Sequence, residues 1–300
     1  MYYTDKTLLC LDGKFQPAST ATTDLYAQTL HYGYGVFEGI RSYQTTGGVK
    51  IVKAKEHYER LKKSCELIGI PFAYEVAELT ALSYELLEMN KLTNAYLRPL
   101  IYAGPNMSLT APSEVHLMLC AWEWGAYLGD KMLNLMLSSY CRPHPRSLHV
   151  EAKVCGHYVN SILATSEAKR NGFDEALLLD HEGFLAEGPG ANLFFGNGKK
   201  LYTPSLGCIL PGITCATVFE LCHELGFEVT EGRYRPEELG NAEFAFYCGT
   251  AAEIAGIGSV NGKRFFGNWK ETAGSMLQEA YLCRVHEKTF KPEKTPASWI

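Results

Sequence analysis

Residues 151–195 read EAKVCGHYVNSILATSEAKRNGFDEALLLDHEGFLAEGPGANLFF, and the rest of the chain is organised around them. Lys153 precedes a predicted helix that begins near Tyr158, and a strand pair leads to Glu187, which enters the bend Gly188-Pro189-Gly190. A neutral lysine forms a Schiff base with an aldehyde, so a lysine near a tyrosine and an acid suits amine chemistry. This segment alone does not establish such chemistry, because most lysines are solvated surface charges.

The overall composition is that of an ordinary soluble globular protein of the size of an enzyme. The 300 residues are 46% hydrophobic and 20% charged, and the net charge of −5 argues against a nucleic-acid partner. We expect no membrane association, because no apolar run could span a bilayer and residues 1–5 lack the features of a signal peptide. Ten cysteines without a Cys-x-x-Cys pair predict reduced thiols in the cytoplasm and no metal site.

The first half of the chain predicts an α+β domain. Asp12-Gly13 is a strong signal for a two-residue hairpin. The glycines of HYGYGVFEGIRSY, residues 31–43, are spaced too widely for a dinucleotide-binding fingerprint, and we predict a strand at 36–43 instead. Hydrophobic periodicity then predicts two helices and two strands, at 55–68, 75–89, 95–103 and 115–122. We place the first domain at 1–121, a linker at 122–131 and the second domain at 132–300.

Two turns in the second half are suited to an anion. Residues 210–214, Leu-Pro-Gly-Ile-Thr, precede a predicted helix and leave backbone N–H groups at its N-terminus, with Thr214 as a candidate cap. Residues 249–252, Gly-Thr-Ala-Ala, form a second turn that can present N–H groups and a hydroxyl. An ordinary capped helix is the alternative interpretation of the first turn.

Eight motifs in one order give the chain a close resemblance to the branched-chain aminotransferases, within the fold-type IV pyridoxal-phosphate enzymes. They are HYGYGVFEGIRSY, ERL (59–61), YLRPLIYAG (96–104), AWEWGAYLG (121–129), HYVNS (157–161), AEGPGANLF (186–194), LPGIT and CGTAAEI (248–254). The resemblance implies a two-domain α+β fold, with a small N-terminal domain and a larger C-terminal domain that has a β-barrel-like sheet core and helices. It also implies a homodimer with the active site between its domains, acting on amino acids and 2-oxo acids.

The resemblance implies a role for each matching position. Lys153 corresponds to the residue that forms the Schiff base with pyridoxal 5′-phosphate and carries the proton. Glu187 corresponds to the acid that faces the pyridine nitrogen, and Tyr158 to the phenol near the ring's 3-oxygen. The implied phosphate contacts are Arg60, Ile213, Thr214 and Thr250. The implied substrate contacts are Tyr32, Phe37, Tyr96, Arg98, Thr250 and Ala251, with Trp122 as a further apolar wall of the pocket.

The reaction that the resemblance implies is transfer of the α-amino group of L-leucine, L-isoleucine or L-valine to 2-oxoglutarate. A D-amino-acid or (R)-amine aminotransferase, or an aminodeoxychorismate lyase, shares the fold and is the alternative. The intact VFEGIR and YLRP segments favour the branched-chain enzymes. Two departures from the family's pattern, His157 and Ala191, adjoin the cofactor segment.

Two other classes of protein remain open on the residues alone. A non-catalytic binding protein would have no reason to keep Lys153 together with Glu187 and Tyr158. A thiol enzyme would use Cys155 with His157, but residues two apart in a strand or turn rarely reach each other.

Overall fold

The computed structural model describes residues 2–125, 128 and 131–290. The chain forms two compact units, Met1–Gly125 with Ala152–Tyr158, and Ala126–Glu151 with Val159–Ile300. Each unit combines a β-sheet with helices, so the predicted α+β class is confirmed. The sequence analysis did not anticipate that the segment around Lys153 belongs to the first unit. Of the predicted linker, residues 126, 127, 129 and 130 lie outside the described residues.

The first unit contains a seven-stranded antiparallel sheet and three helices. Its strands are β1 (Leu8–Leu11), β2 (Lys14–Pro17), β3 (Gly35–Phe37), β4 (Ile40–Thr45), β5 (Gly48–Ile51), β6 (Ala95–Ala103) and β7 (Val115–Glu123). Its helices are α1 (Gln28–Tyr32), α2 (Ala54–Ile68) and α3 (Val76–Met89). The strand order is β2-β1-β7-β6-β4-β5, and β3 pairs with β6. Asp12 and Gly13 both have positive φ, as the predicted hairpin turn requires.

The two faces of this sheet have different compositions because side chains alternate along each strand. On β6, Leu97 and Ile101 are fully buried in a core that also contains Leu61 of α2 and Leu86 of α3. Each such leucine or isoleucine contributes about 1.5–3 kcal/mol of burial free energy. The intervening residues of β6, which include Tyr96 and Arg98, therefore point to the opposite face.

The single strand predicted at 36–43 is wrong: the structure has β3 and β4, separated by Glu38 and Gly39. The Glu38 side chain is fully buried, and its carboxylate accepts a hydrogen bond from the N–H of Gly39. A Cβ atom on Gly39 would lie 1.7 Å from the hydroxyl oxygen of Tyr96. The break therefore admits an acid into the interior and brings the backbone close to Tyr96.

The second unit contains an eight-stranded mixed sheet and further helices. Its strands are β8 (Leu133–Cys141), β9 (Glu175–Leu179), β10 (Asn192–Asn197), β11 (Lys200–Pro204), β12 (Glu228–Gly232), β13 (Phe244–Gly249), β14 (Glu253–Val260) and β15 (Lys263–Arg264). The strand order is β12-β11-β10-β13-β14-β8-β9, and β15 pairs with β14. The longer helices are α4 (Tyr158–Arg170), α5 (Ile213–Leu225) and α6 (Ala273–Val285). None of the described helices combines the length and apolar composition that crossing a bilayer requires.

The backbone of the Lys153 segment lies directly against the turn that follows α1. Gly33, at φ +67°, accepts a hydrogen bond from the N–H of Gly156 at 3.0 Å. A Cβ atom on Gly33 would lie only 2.6 Å from the Cα of Gly156. Glycine is therefore required at position 33, while a Cβ atom on Gly156 would come no nearer than 3.3 Å to its neighbours.

We predict that Gly33→Ala lowers the free energy of unfolding more than Gly13→Ala does. Gly13 is the matched control, because it also has positive φ (+79°) but has no neighbour within 4 Å of an added Cβ. Gly13→Ala should lower the free energy of unfolding by about 1–2 kcal/mol through backbone strain. Gly33→Ala should lower it by a further amount of about 1–3 kcal/mol, because the added Cβ overpacks the contact with Gly156. Urea unfolding of both variants measures the difference, and equal losses would contradict the close-approach explanation.

Candidate active site

Lys153 is held through its backbone on both sides. Its C=O accepts a hydrogen bond from the N–H of Phe37 at 3.0 Å, and its own N–H donates to Ser64 Oγ at 3.0 Å. Val154 forms an isolated β-bridge with Val36. These contacts extend the pairing of β3 and hold the backbone of Lys153 against the first sheet and α2.

The amine of Lys153 lies against a hydroxyl and two aromatic rings. Nζ donates a hydrogen bond to the hydroxyl oxygen of Tyr158 at 2.7 Å. Nζ also lies 5.2 Å from the ring centroids of both Phe37 and Tyr158, within cation–π range. The structure therefore brings together Lys153, Tyr158 and Phe37, which the sequence analysis singled out separately.

Arg98 also lies against Phe37, with Cζ 4.6 Å from that ring's centroid and 5.9 Å from the centroid of Trp122. Tyr96 and Trp122 are directly opposite each other in the β6–β7 register, so all these side chains share one sheet face. Among the described residues, Arg98 Nε and Trp122 Nε1 are buried N–H groups with no hydrogen-bond partner. An unpaired buried donor costs about 1–3 kcal/mol, so this face is built to receive an acceptor.

Tyr32, also predicted as a substrate contact, lies at the end of α1. Its side chain is 46% exposed, and its hydroxyl donates to the C=O of Met107 at 3.2 Å.

Arg60 is held by a buried acid that the sequence analysis missed. Arg60 Nε and Nη2 donate to the two carboxylate oxygens of Glu38 at 2.6 and 2.8 Å, and His57 Nδ1 lies 2.8 Å from Glu38 Oε2. The only sequence signals were the acid in VFEGIR and the spacing of His57 and Arg60, three residues apart on one helix face.

These three groups set one another's protonation. Burial acts to raise the pKa of Glu38, but Arg60 and His57 together hold that pKa well below its usual value. Burial lowers the pKa of His57, against the opposing effect of Glu38, and the charges of Arg60 and Lys153 lower it further. A neutral His57 facing an ionised carboxylate must donate through Nδ1, since the carboxylate can only accept.

In the second unit Glu187 is only 5% exposed and lies among donors. Arg142 Nε is 2.9 Å from Glu187 Oε1, an ion pair in which the N–H does not point at the oxygen. The N–H of Leu210 donates to Oε1 at 3.2 Å, and Asn192 Nδ2 donates to Oε2 at 3.3 Å. The sequence analysis identified Glu187 but missed Arg142, which has the appearance of an ordinary loop charge, and Asn192, which lies inside a strand.

Asn192 also brings the two anion-suited turns to one end of the second sheet. Its Nδ2 donates to the C=O of Leu210 at 3.0 Å, and its backbone is the register partner of Cys248, next to the turn at 249–252. Helix α5 packs against β13, which leads into that turn. Ile213, Thr214, Thr250 and Ala251 are therefore grouped at the end of the sheet that carries Glu187.

The predicted cap of α5 is wrong. The N-cap is Gly212, which has no capping side chain, and Thr214 lies within the first helical turn. A Cβ atom on Gly212 would lie 1.9 Å from Asn192 Oδ1, so the asparagine excludes a larger cap residue. The first N–H groups of α5 are consequently left for another acceptor, as an anion site requires.

Cys155 lacks the properties of a nucleophile. Burial raises the pKa of its thiol to about 11, against a weaker lowering effect of Arg98. A catalytic cysteine needs the opposite shift, because the thiolate is the reactive form. Within the described residues, no group of three or more His, Cys, Asp or Glu side chains could hold a metal ion.

Comparison with known proteins adds to this geometry. A family model described as amino-transferase class IV matches residues 35–260. A branched-chain-amino-acid aminotransferase of Pseudomonas aeruginosa is 38% identical over 284 residues, which cover 93% of this chain and 92% of the relative.

Two solved structures share the fold over nearly the whole chain. The branched-chain aminotransferase of Thermoproteus uzoniensis with norvaline has a TM-score of 0.90 and 33% identity, with 98% of each chain covered. The T.th. branched-chain amino acid aminotransferase complexed with N-(5′-phosphopyridoxyl)-L-glutamate has a TM-score of 0.89 and 35% identity, with 97% of each chain covered. The fold-type IV class predicted from the sequence is confirmed.

Proposed function

We propose that this chain, which belongs to the class IV aminotransferase family, transfers the α-amino group of L-leucine, L-isoleucine or L-valine to 2-oxoglutarate. The observation that carries the proposal is the Lys153 amine, fixed through its backbone and 2.7 Å from the Tyr158 hydroxyl. The relatives described above are named for branched-chain amino acids, which supports the choice of substrate.

The residues present fit pyridoxal 5′-phosphate as the cofactor. The cofactor needs an amine for its aldehyde, a carboxylate for its ring nitrogen and N–H donors for its phosphate. Lys153 supplies the amine and Glu187 the carboxylate. The uncapped N-terminus of α5 at Ile213 and Thr214, the turn at Thr250, and Arg60 are suited to the phosphate. When bound, the cofactor supplies a ring that accepts the electrons left on the substrate's Cα.

The protein's own groups then orient the reactants and move one proton. Lys153 Nζ acts as a general base that takes the proton from the Cα of the amino donor. In the second half of the reaction it acts as a general acid and returns a proton to the Cα of the 2-oxo acid. Tyr158 accepts a hydrogen bond from Nζ and so aims the amine. Arg142 and the Leu210 N–H orient the Glu187 carboxylate, which holds a proton at the ring nitrogen.

Substrate selection follows from the face of the first sheet that carries Phe37, Tyr96, Arg98 and Trp122. Phe37 offers an apolar surface for a leucine-like side chain, while Arg98 offers charge for the second carboxylate of 2-oxoglutarate. The unpaired Nε of Arg98 supports this role, and a glutamate derivative is bound in the T.th. relative. We assign Tyr96, Thr250 and Ala251 to the α-carboxylate and Tyr32 to the side-chain pocket.

A homodimer is part of the proposal. The first unit exposes a cluster of apolar side chains from two segments, residues 25–32 and 107–109. A hydrogen bond from the Tyr32 hydroxyl to the C=O of Met107 joins these segments. The most exposed members of the cluster are Leu25, Tyr26, Leu30, Met107 and Leu109. Such patches usually mark an interface. Sedimentation equilibrium should give twice the chain mass of 33.4 kDa, and a monomer at micromolar concentration would contradict it.

Ten free cysteines suit the reducing cytoplasm, where we place the enzyme.

The substrate assignment is tested with L-leucine, D-alanine and an (R)-amine, each offered with 2-oxoglutarate. We predict turnover of L-leucine at least a hundredfold above the other two, about 3 kcal/mol of discrimination, because D-alanine lacks the apolar side chain that fills the pocket and an amine lacks the α-carboxylate. Release of 4-methyl-2-oxopentanoate and L-glutamate is the measurement. Turnover of D-alanine or the amine without turnover of L-leucine would replace this assignment with the fold-sharing alternative.

A further inference from the structure

The carboxylate of Glu38 is the most completely enclosed charge of the first unit's site. Glu38 is 0% exposed, and the backbone N–H of Glu38 donates a hydrogen bond to the C=O of Pro99 at 2.9 Å. Both oxygens are engaged by Arg60, and Oε2 is also engaged by His57, which is 2% exposed. The acid comes from the break between β3 and β4, while both partners come from one face of α2.

Stability alone gives little reason to keep this arrangement. Desolvating two charges costs several kcal/mol per ion, and well-packed apolar residues of similar volume often replace buried ion pairs without loss. The neighbouring core of the first unit is apolar, so such a replacement would have suitable surroundings. The pair is therefore better explained by the orientation it imposes on its members than by a gain in stability.

The pair fixes the direction of a guanidinium group. Glu38 occupies the Nε and Nη2 edge of Arg60 with two short hydrogen bonds, at 2.6 and 2.8 Å. Because a guanidinium is planar and rigid, this contact turns its Nη1–Nη2 edge away from Glu38 in one defined orientation. The Arg60 side chain is 13% exposed, so the group is not sealed in with the acid. An arginine prepared in this way is suited to a planar or tetrahedral anion.

We propose that Glu38 is a positioning residue that aims Arg60 at the phosphate group of the cofactor, with His57 holding the second carboxylate oxygen in place. The inference rests on the proposed function, since it takes pyridoxal phosphate as the ligand. It adds a cause: Arg60 binds phosphate well because its side chain is ordered before the anion arrives.

The experiment compares two ligands that differ only in the phosphate. The full-length chain, freed of cofactor by dialysis, is titrated with pyridoxal phosphate and with pyridoxal, and binding is followed by the imine absorbance. Glu38→Gln keeps the shape of Glu38 but removes its charge. We expect its affinity for pyridoxal phosphate to fall by about tenfold to a hundredfold, the usual effect of losing a hydrogen bond to a charged group. Its affinity for pyridoxal should stay within about twofold, as expected for a site away from the lost interaction.

Further variants separate positioning from a general loss of structure. Tyr58→Phe removes a buried hydroxyl bonded to Ser83, one residue from His57 on the same helix, and should leave both affinities unchanged. Arg60→Lys should weaken pyridoxal phosphate binding as Glu38→Gln does, and the double variant should lose little more, because the two residues act as one unit. If Glu38→Gln does not fold, Glu38→Asp tests the same point by shortening the acid while keeping its charge.

Each outcome has a separate meaning. Equal weakening of pyridoxal and pyridoxal phosphate, unchanged affinity for both, or full additivity with Arg60→Lys would overturn the positioning role and leave the proposed function intact. A wild-type chain that binds neither ligand would overturn the proposed function itself.

Discussion

The candidate site depends on the backbone of Lys153 being fixed to the first sheet and to α2. The C=O of Lys153 is bonded to Phe37 and its N–H to Ser64, two residues far away in sequence. The close contact of Gly33 with Gly156 extends the same attachment along the chain. With its backbone held in this way, the amine of Lys153 meets the Tyr158 hydroxyl at 2.7 Å. A reactive amine gains its rate advantage from such prior orientation.

The second organising feature is a buried acid in each unit, each paired with an arginine. Glu38 and Glu187 are both nearly inaccessible, and each is held by an arginine, Arg60 and Arg142 respectively. Burying these charges opposes stability, so the core of each unit has to offset them. In return, each arginine–carboxylate pair gives a polar group one fixed direction. The interior of each unit thus contains an oriented charge pair at some cost in stability relative to a purely apolar interior.

Sequence patterns predicted the local elements well where periodicity and turn chemistry agreed, as in α2, α3 and the Asp12-Gly13 hairpin. The strand at 36–43 failed because propensity cannot register that an acid turns inward at residue 38. Lys153, Tyr158 and Phe37, predicted individually, do meet in the structure. Glu38, His57 and Arg142 were missed for a common reason: their partners are brought to them only by the tertiary fold. A single sequence contains no local signal for such pairs.

The central claim is that Lys153 carries the reactive amine of a pyridoxal-phosphate enzyme. The most direct measurement is to reconstitute the protein with pyridoxal phosphate, reduce it with borohydride and map the modified peptide by mass spectrometry. The account predicts an imine absorbance before reduction and a stable phosphopyridoxyl group on Lys153 after it, at about one per chain. Absence of the imine band, or attachment at a different lysine, would contradict the account.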